Sequence, residues 1–172
     1  RVSGGEPGAR DGTLAIMAGG DAGVVDRLAD VFAAMGRVTH IGPVGTGQMT
    51  KLANQIAVAI NLEAAVEAIK FARGGGLDPS RVVEAIGGGA AGSWQLSNLG
   101  PKIIAGDYRP GFFIKLIRKD LRLVVEAARE SGLALPGLSL MASMFNSAAA
   151  LGHDLDGTQA VAAALDRLAD VK

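Results

Sequence analysis

Apolar positions in this chain recur with one spacing up to about residue 44 and with another beyond it. Upstream, Thr13-Leu14-Ala15-Ile16-Met17-Ala18 is a short apolar run bounded by Gly12 and Gly19-Gly20, the pattern of a buried strand. Asp21 can cap a helix over 22–35, with Val24, Leu28, Val31, Phe32 and Met35 as its apolar stripe and Gly36 as its stop. Val38-Thr39-His40-Ile41 reads as a second strand. Strand, helix and strand within about thirty residues predict a βαβ unit of a parallel sheet. Two strands do not make a stable sheet alone, so the pattern predicts further strands upstream and a chain that is a piece of a longer protein. The opening residues, RVSGGEPGARDG, have loop-like composition.

From Thr46 onward the strand signals stop. One long apolar helix is predicted over 46–73, closed by Gly74-Gly75-Gly76; at ~1.5 Å per residue it would be roughly 40 Å long. Its stretch 56–60 is apolar on every side, which predicts burial all round. Asp78-Pro79 joins an N-cap to a proline at the first helical position and starts a short helix reaching Ile86. After the glycine-rich loop 87–92, helices are predicted over 95–105, 113–131, 138–151 and 159–168. Residues 44–172 therefore read as all-α.

Composition narrows the chemistry. Seventeen basic residues balance seventeen acidic ones without long runs of either sign, so nucleic acid and anionic membranes are not expected partners. There is no cysteine for a disulfide, a thiolate nucleophile or a cysteine metal site. His40 and His153 stand far apart without ligand spacing, so both read as structural and no metal is expected. No charge-free apolar stretch reaches the length of a membrane span and no signal peptide opens the chain, so a cytoplasmic protein is expected.

The stretch richest in chemistry is 45–55, GTGQMTKLANQ. On a helix Lys51, Asn54 and Gln55 share one face, at the mouth of an apolar segment where unpaired polar groups are costly. A lysine that snorkels to solvent and amides that cap neighbouring loops would give the same spacing. GTGQMT is a broken dinucleotide fingerprint, with Thr50 at the third glycine position, and it is not a phosphate loop because Thr50 precedes Lys51. Glu63 and Glu67, one turn apart, read as helix-face partners of Lys70 or a nearby arginine rather than as an acid/base pair. Arg118-Lys119-Asp120 reads as a local solvated patch.

Three separated motifs in one order, VSGGEPGARDGTLAIMAGG, GTGQMTKLANQ and GFFIKLIRKDLRLVVEAA, resemble the β-hydroxyacid dehydrogenase family. That family includes 3-hydroxyisobutyrate dehydrogenase, tartronate semialdehyde reductase and, more distantly, 6-phosphogluconate dehydrogenase. The resemblance covers essentially the whole chain. It implies a mainly α architecture, with residues 1–43 as the last βαβ remnant of a nicotinamide-binding Rossmann domain. Residues 44–172 would be an all-helical, 6-phosphogluconate-dehydrogenase-like C-terminal domain for substrate binding and dimerisation.

The resemblance also assigns roles. It implies that Ser3, Gly4 and Gly5 hold the substrate carboxylate, the glycines letting backbone N–H groups approach it as an anion nest. Lys51 matches the catalytic lysine, which takes the hydroxyl proton in oxidation and returns it in reduction. A free lysine titrates near about 10.4, so burial among Met49, Leu52 and Ile56 would have to lower it for proton transfer near neutrality. Asn54 and Gln55 would orient the substrate; Gln55 stands where many members carry asparagine and is similar to the tartronate semialdehyde reductase branch. Phe112 would line the pocket, Lys119 would reach the nicotinamide ribose end of NAD or NADP, and Asp120 would orient that lysine and the substrate pocket. Trp94 reads equally as a pocket closer and as a core residue. Lys51 argues against the related imine reductases, which generally lack it.

The expected function is hydride transfer between NAD or NADP and a small 3-hydroxy acid or semialdehyde, such as 3-hydroxyisobutyrate or tartronate semialdehyde. An upstream half would hold most of the cofactor and select NAD or NADP, so this stretch alone would be inactive. A homodimer or higher homo-oligomer is expected, because the long apolar helix exposes more hydrophobic surface than a monomer tolerates. The alternative is a non-catalytic helical dimerisation and substrate-recognition module; the presence of Ser3, Lys51 and Lys119 together favours the enzyme.

Overall fold

The computed structural model describes residues 1–169, which fall into two compact units that meet in sequence between Gln55 and Ile56. In the first unit, β1 (Val2–Ser3), α1 (Gly5–Arg10), β2 (Leu14–Gly19), α2 (Ala22–Arg27), α3 (Ala29–Met35) and β3 (Gly36–Gly42) lead into the start of α4 (Thr46–Gly74). The sheet order is β1-β2-β3. β3 runs parallel to β2 with Val38 opposite Ile16, and β1 runs antiparallel to it with Ser3 opposite Ala15. The parallel pair joined by helix is the βαβ unit that the apolar spacing predicts, and Asp21 caps it as expected, its Oδ1 accepting from the Val24 N–H at 2.9 Å.

The unit departs from the sequence reading in three places. The opening residues are not loop: the Arg1 α-amino group donates to Met17 O at 3.0 Å and Met17 N–H donates to Arg1 O at 2.7 Å, so the chain pairs with β2 from its first residue. Pro7 lies in the first turn of α1, where its missing N–H leaves no intrahelical bond unmade. The helix over 22–35 is interrupted at Leu28, whose N–H bonds back three residues to Val25 O. And Val24, Leu28, Val31 and Met35 of the stripe are 40–56% exposed, while the buried apolar side chains of the sheet are Leu14 and Ile16.

The second unit is all-helical. The remainder of α4 is followed by α5 (Pro79–Gly87), α6 (Trp94–Ala105), α7 (Ile114–Glu130), α8 (Pro136–Ala148) and α9 (Val161–Ala169), with a wide turn at Ala149–His153 and a 3-10 turn at Thr158–Ala160. Asp78 caps α5 as predicted, accepting from Ser80 N–H at 2.9 Å, and Ser93 caps α6 through Leu96 N–H at 3.0 Å. The core is drawn from Leu62, Val66 and Ile69 of α4, Ile114, Ile117 and Leu121 of α7, and Leu138, Met141 and Phe145 of α8, each at most 2% exposed. Side chains buried this fully stabilise by about 1.5–3 kcal/mol apiece before entropy is counted.

Helix α4 is buried on one face only, against the expectation of burial all round. Ala59, Leu62, Val66 and Ile69 are inside while Ile60 and Phe71 are 39% and 82% exposed. By length and a mean hydropathy of 1.3 over its most apolar stretch α4 meets the measure of a membrane span, which the sequence reading set aside for its charges; here its inner face is core.

The charged positions of α4 also pair differently from the reading above. Lys70 Nζ donates to Asp166 Oδ1 of α9 rather than to a glutamate of its own helix. Glu63 is 8% exposed and its Oε2 finds no hydrogen-bond partner among the described residues. Burial, with Glu67 adding to it and Lys70 opposing, raises the Glu63 carboxyl from 4.5 to about 6. A carboxyl raised on folding holds its proton more tightly when folded, so stability is full below pH 4.5 and falls as pH rises toward 6. At about 1.4 kcal/mol per pH unit the loss is about 2 kcal/mol. Unfolding midpoints of the full-length protein between pH 4.5 and 8 should show this decline, and Glu63→Gln should flatten it; parallel curves for the two proteins would refute it.

Candidate functional site

The site begins where α4 leaves β3. Gly45 adopts φ +99°, a left-handed conformation that glycine reaches without strain. The following turn lies so close to β2 that a Cβ on Gly47 would stand 2.5 Å from Met17 O. Thr46 Oγ1 donates to Pro43 O at 2.8 Å and Thr50 Oγ1 to Thr46 O at 2.9 Å. The glycines of GTGQMT thus serve the docking of helix on strand. His40 Nε2 lies 2.9 Å from Gly20 O and 3.1 Å from Gly42 O, so as a donor it ties the ends of β2 and β3 and acts structurally.

Docking the first turn sets the phase of the next. Lys51 and Asn54 are half-buried and Gln55 is 2% exposed, on the one face that their spacing predicts. Asn54 Nδ2 donates to Gln55 Oε1 at 2.8 Å, so the two amides bind one another. A lysine beside a bonded amide pair, on a helix seated in the unit, is a rigid donor set for a small oxygen-rich ligand.

Ser3 is half-buried opposite Ala15, and Gly4, at φ +136°, turns the chain into α1; a Cβ there would lie 3.0 Å from Leu14 Cδ2. One strand, β2, therefore carries both segments: Ser3-Gly4-Gly5 near Leu14 and Ala15, and the α4 entry at Met17 and Gly19. A cavity of about 370 Å³ in this unit runs along Met17, Gly19, Val25, Phe32 and Gln48, and neither Ser3 nor Lys51 lines it.

In the second unit Lys119 Nζ pairs with Asp120 Oδ1 at 2.9 Å, the lysine side chain 53% exposed and the aspartate 15%. Phe112 is half-buried in the loop ahead of α7, and its carbonyl accepts from Thr158 N–H at 2.9 Å. The same loop is clamped at Tyr108 O by Gly157 N–H (2.8 Å) and at Asp107 O and Arg109 O by Gln159 Nε2 (3.0 Å each). Arg109 grips the Asp107 carboxylate at 2.8 and 2.6 Å and holds it well below the usual carboxylate range.

Two positioning groups escaped the sequence reading. Gln159, 1% exposed, reads in sequence only as the start of a helix; its signal was a lone amide between a turn and an apolar run. Arg118 is no solvated patch, for it donates to Asn146 Oδ1 at 2.9 Å and Asp154 Oδ1 at 2.7 Å and braces α7 against the end of α8. Trp94 is 59% exposed, which removes its reading as a core residue. Gln159→Ala strands two carbonyls and should cost about 1–3 kcal/mol, measurable as a lowered unfolding midpoint; an unchanged midpoint would show that the clamp is dispensable.

Two family models match the chain. Residues 45–164 match the family described as NAD-binding of NADP-dependent 3-hydroxyisobutyrate dehydrogenase. Residues 1–42 match the NAD binding domain of 6-phosphogluconate dehydrogenase. The 2-hydroxy-3-oxopropionate reductase of Escherichia coli is 44% identical over 172 residues, covering 99% of this chain and 59% of that protein. Among solved structures, a 3-hydroxyisobutyrate dehydrogenase from Salmonella typhimurium superposes with a TM-score of 0.85 at 30% identity, covering 94% of this chain and 57% of that one. A Mycobacterium tuberculosis 3-hydroxyisobutyrate dehydrogenase with L-serine gives 0.82 at 31% identity, covering 97% and 59%. The fold is mainly α after a Rossmann remnant, and the proteins it matches are dehydrogenases and a reductase. The chain belongs to the β-hydroxyacid dehydrogenase family. It spans between 51% and 59% of the length of four curated relatives that it matches, the E. coli reductase among them.

Proposed function

We propose that the full-length protein transfers hydride between NAD or NADP and a small 3-hydroxy acid or semialdehyde, with Lys51 as general acid/base. In this reading residues 1–43 end a Rossmann domain, residues 44–172 form the substrate and dimerisation domain, and the described stretch is inactive by itself. The observation that carries it is the α4 face of Lys51, Asn54 and Gln55, seated by a glycine turn in a chain 44% identical to the E. coli reductase. Lys119, half-exposed and steered by Asp120, suits the polar edge of NAD or NADP, which when bound supplies or accepts the hydride. Ser3 with the Gly4 and Gly5 backbone holds the substrate carboxylate, Asn54 and Gln55 orient its oxygens, and Phe112 packs against its carbon chain. Lys51 Nζ takes the hydroxyl proton in oxidation and gives it back in reduction. The reading includes a cytoplasmic location and no nucleic-acid or membrane partner.

Nicotinamide absorbance followed with 3-hydroxyisobutyrate, L-serine, glycerate and tartronate semialdehyde tests this on the full-length protein. Turnover on one of them should fall by about a hundredfold or more in Lys51→Ala, the size of a general acid–base contribution. Turnover that survives the substitution would remove Lys51 from the chemistry. A folded protein that turns over none of them would favour the non-catalytic module.

The same reading includes a homodimer or higher homo-oligomer, supported by the exposed side chains of Ile60 and Phe71, which lie close to a whole number of helical turns apart on one face of α4. Sedimentation of the full-length protein should give at least twice the monomer mass, and Phe71→Asp should shift it toward the monomer. A monomeric wild type would end this part of the proposal.

A further inference from the structure

Between α4, α8 and α9 lies a pocket of about 360 Å³, walled by Leu140 and Met144 of α8 and Leu165 and Leu168 of α9, with Glu63 and Glu67 of α4 as its acidic side. Glu63 is 8% exposed and its Oε2 has no hydrogen-bond partner among the described residues, so its desolvation is uncompensated. Glu67 sits one turn away and disfavours a second negative charge. The nearby cation, Lys70, is bonded to Asp166. Helix α8 brings no ionisable side chain, and α9 brings Asp166 and the exposed Arg167. Among the described residues, the elements around the pocket therefore set three carboxylates against Lys70 inside and Arg167 at the surface.

A buried carboxylate with one oxygen unbonded among the described residues, beside aliphatic walls, is the complement of a cation carried on a short hydrocarbon chain. Leu140 and Leu168, 53% and 75% exposed, form an open mouth through which such a molecule enters. We propose that this pocket binds a small primary alkylammonium ion, its head donating to Glu63 and Glu67 and its chain lying against Leu140, Met144 and Leu165. A primary ammonium has three N–H donors, enough for both carboxylates and one further acceptor. Desolvation in the pocket strengthens the ion pair, and the apolar walls exclude competing water. The site is separate from the residues given roles in hydride transfer, so either proposal can fail without the other.

Butylammonium chloride titrated calorimetrically into the full-length protein at pH 8 tests it. Saturable one-to-one binding is expected, weakened about tenfold or more in Glu63→Gln, since loss of a buried charge partner is worth at least that factor. Binding should also weaken at pH 5, where the Glu63 carboxyl, raised to about 6, is protonated. Tetramethylammonium, which has no N–H donor, should bind far less well, and Leu140→Lys, which supplies an ammonium from the exposed mouth, should block the site. Turnover by Glu63→Gln should equal that of the wild type. Absence of saturation at millimolar butylammonium, or equal affinity in Glu63→Gln, would overturn the proposal. So would self-association that Glu63→Gln abolishes, which would show a second copy of the chain in the pocket instead.

Discussion

The first unit depends on one close approach of backbone to backbone, that of Gly47 to the Met17 carbonyl. No side chain fits between them, and Gly45 in its left-handed conformation turns the chain onto that path. Because successive helical residues step by about 100°, fixing the first turn of α4 fixes the direction of every side chain after it. A shift of one residue would rotate the face that Lys51 shares with Asn54 and Gln55 by about 100°. The chemistry proposed for that face thus rests on a steric fact two turns away, and β2, which also pairs with Ser3, is the common support.

The second unit fixes the loop before Phe112 by side-chain and backbone hydrogen bonds. Gln159, enclosed in the core, satisfies two carbonyls of the loop that leads to Phe112, and the N–H groups of Gly157 and Thr158 satisfy two more. Such a buried polar clamp is valuable because any of its members left unpaired would cost as much as the bond itself stabilises. Arg118 extends the bracing to the end of α8. Lys119 and Asp120 follow Arg118 directly on the same helix, so their placement follows from the clamp.

Helix α4 does several jobs along one sequence. Its first turns present Lys51 and the amide pair, its middle supplies core residues and the buried Glu63, and its outer face leaves Ile60 and Phe71 in contact with solvent. The contrast between Lys70, which finds Asp166, and Glu63, whose Oε2 finds no partner among the described residues, shows that burial alone does not dictate pairing. What decides it is which neighbouring helix turns a complementary group toward the site.

Much was legible in the chain by itself, wherever the cause is local. The β2–helix–β3 order, the caps at Asp21 and Asp78, and the shared face of Lys51, Asn54 and Gln55 follow from periodicity and from side chains that bond their own backbone a few residues away. The three motifs led to the family that the comparisons then showed. The pairing of β1 could not be read, because a strand of two residues is defined only by its neighbour. Burial of α4 on one face, the hold of Arg118 on Asn146 and Asp154, the Lys70–Asp166 pair and the reach of Gln159 to Asp107 and Arg109 were also decided by the tertiary structure. Each joins groups 28 to 96 residues apart or depends on which side of a helix is covered, and only packing brings such groups within the few ångströms over which a hydrogen bond acts.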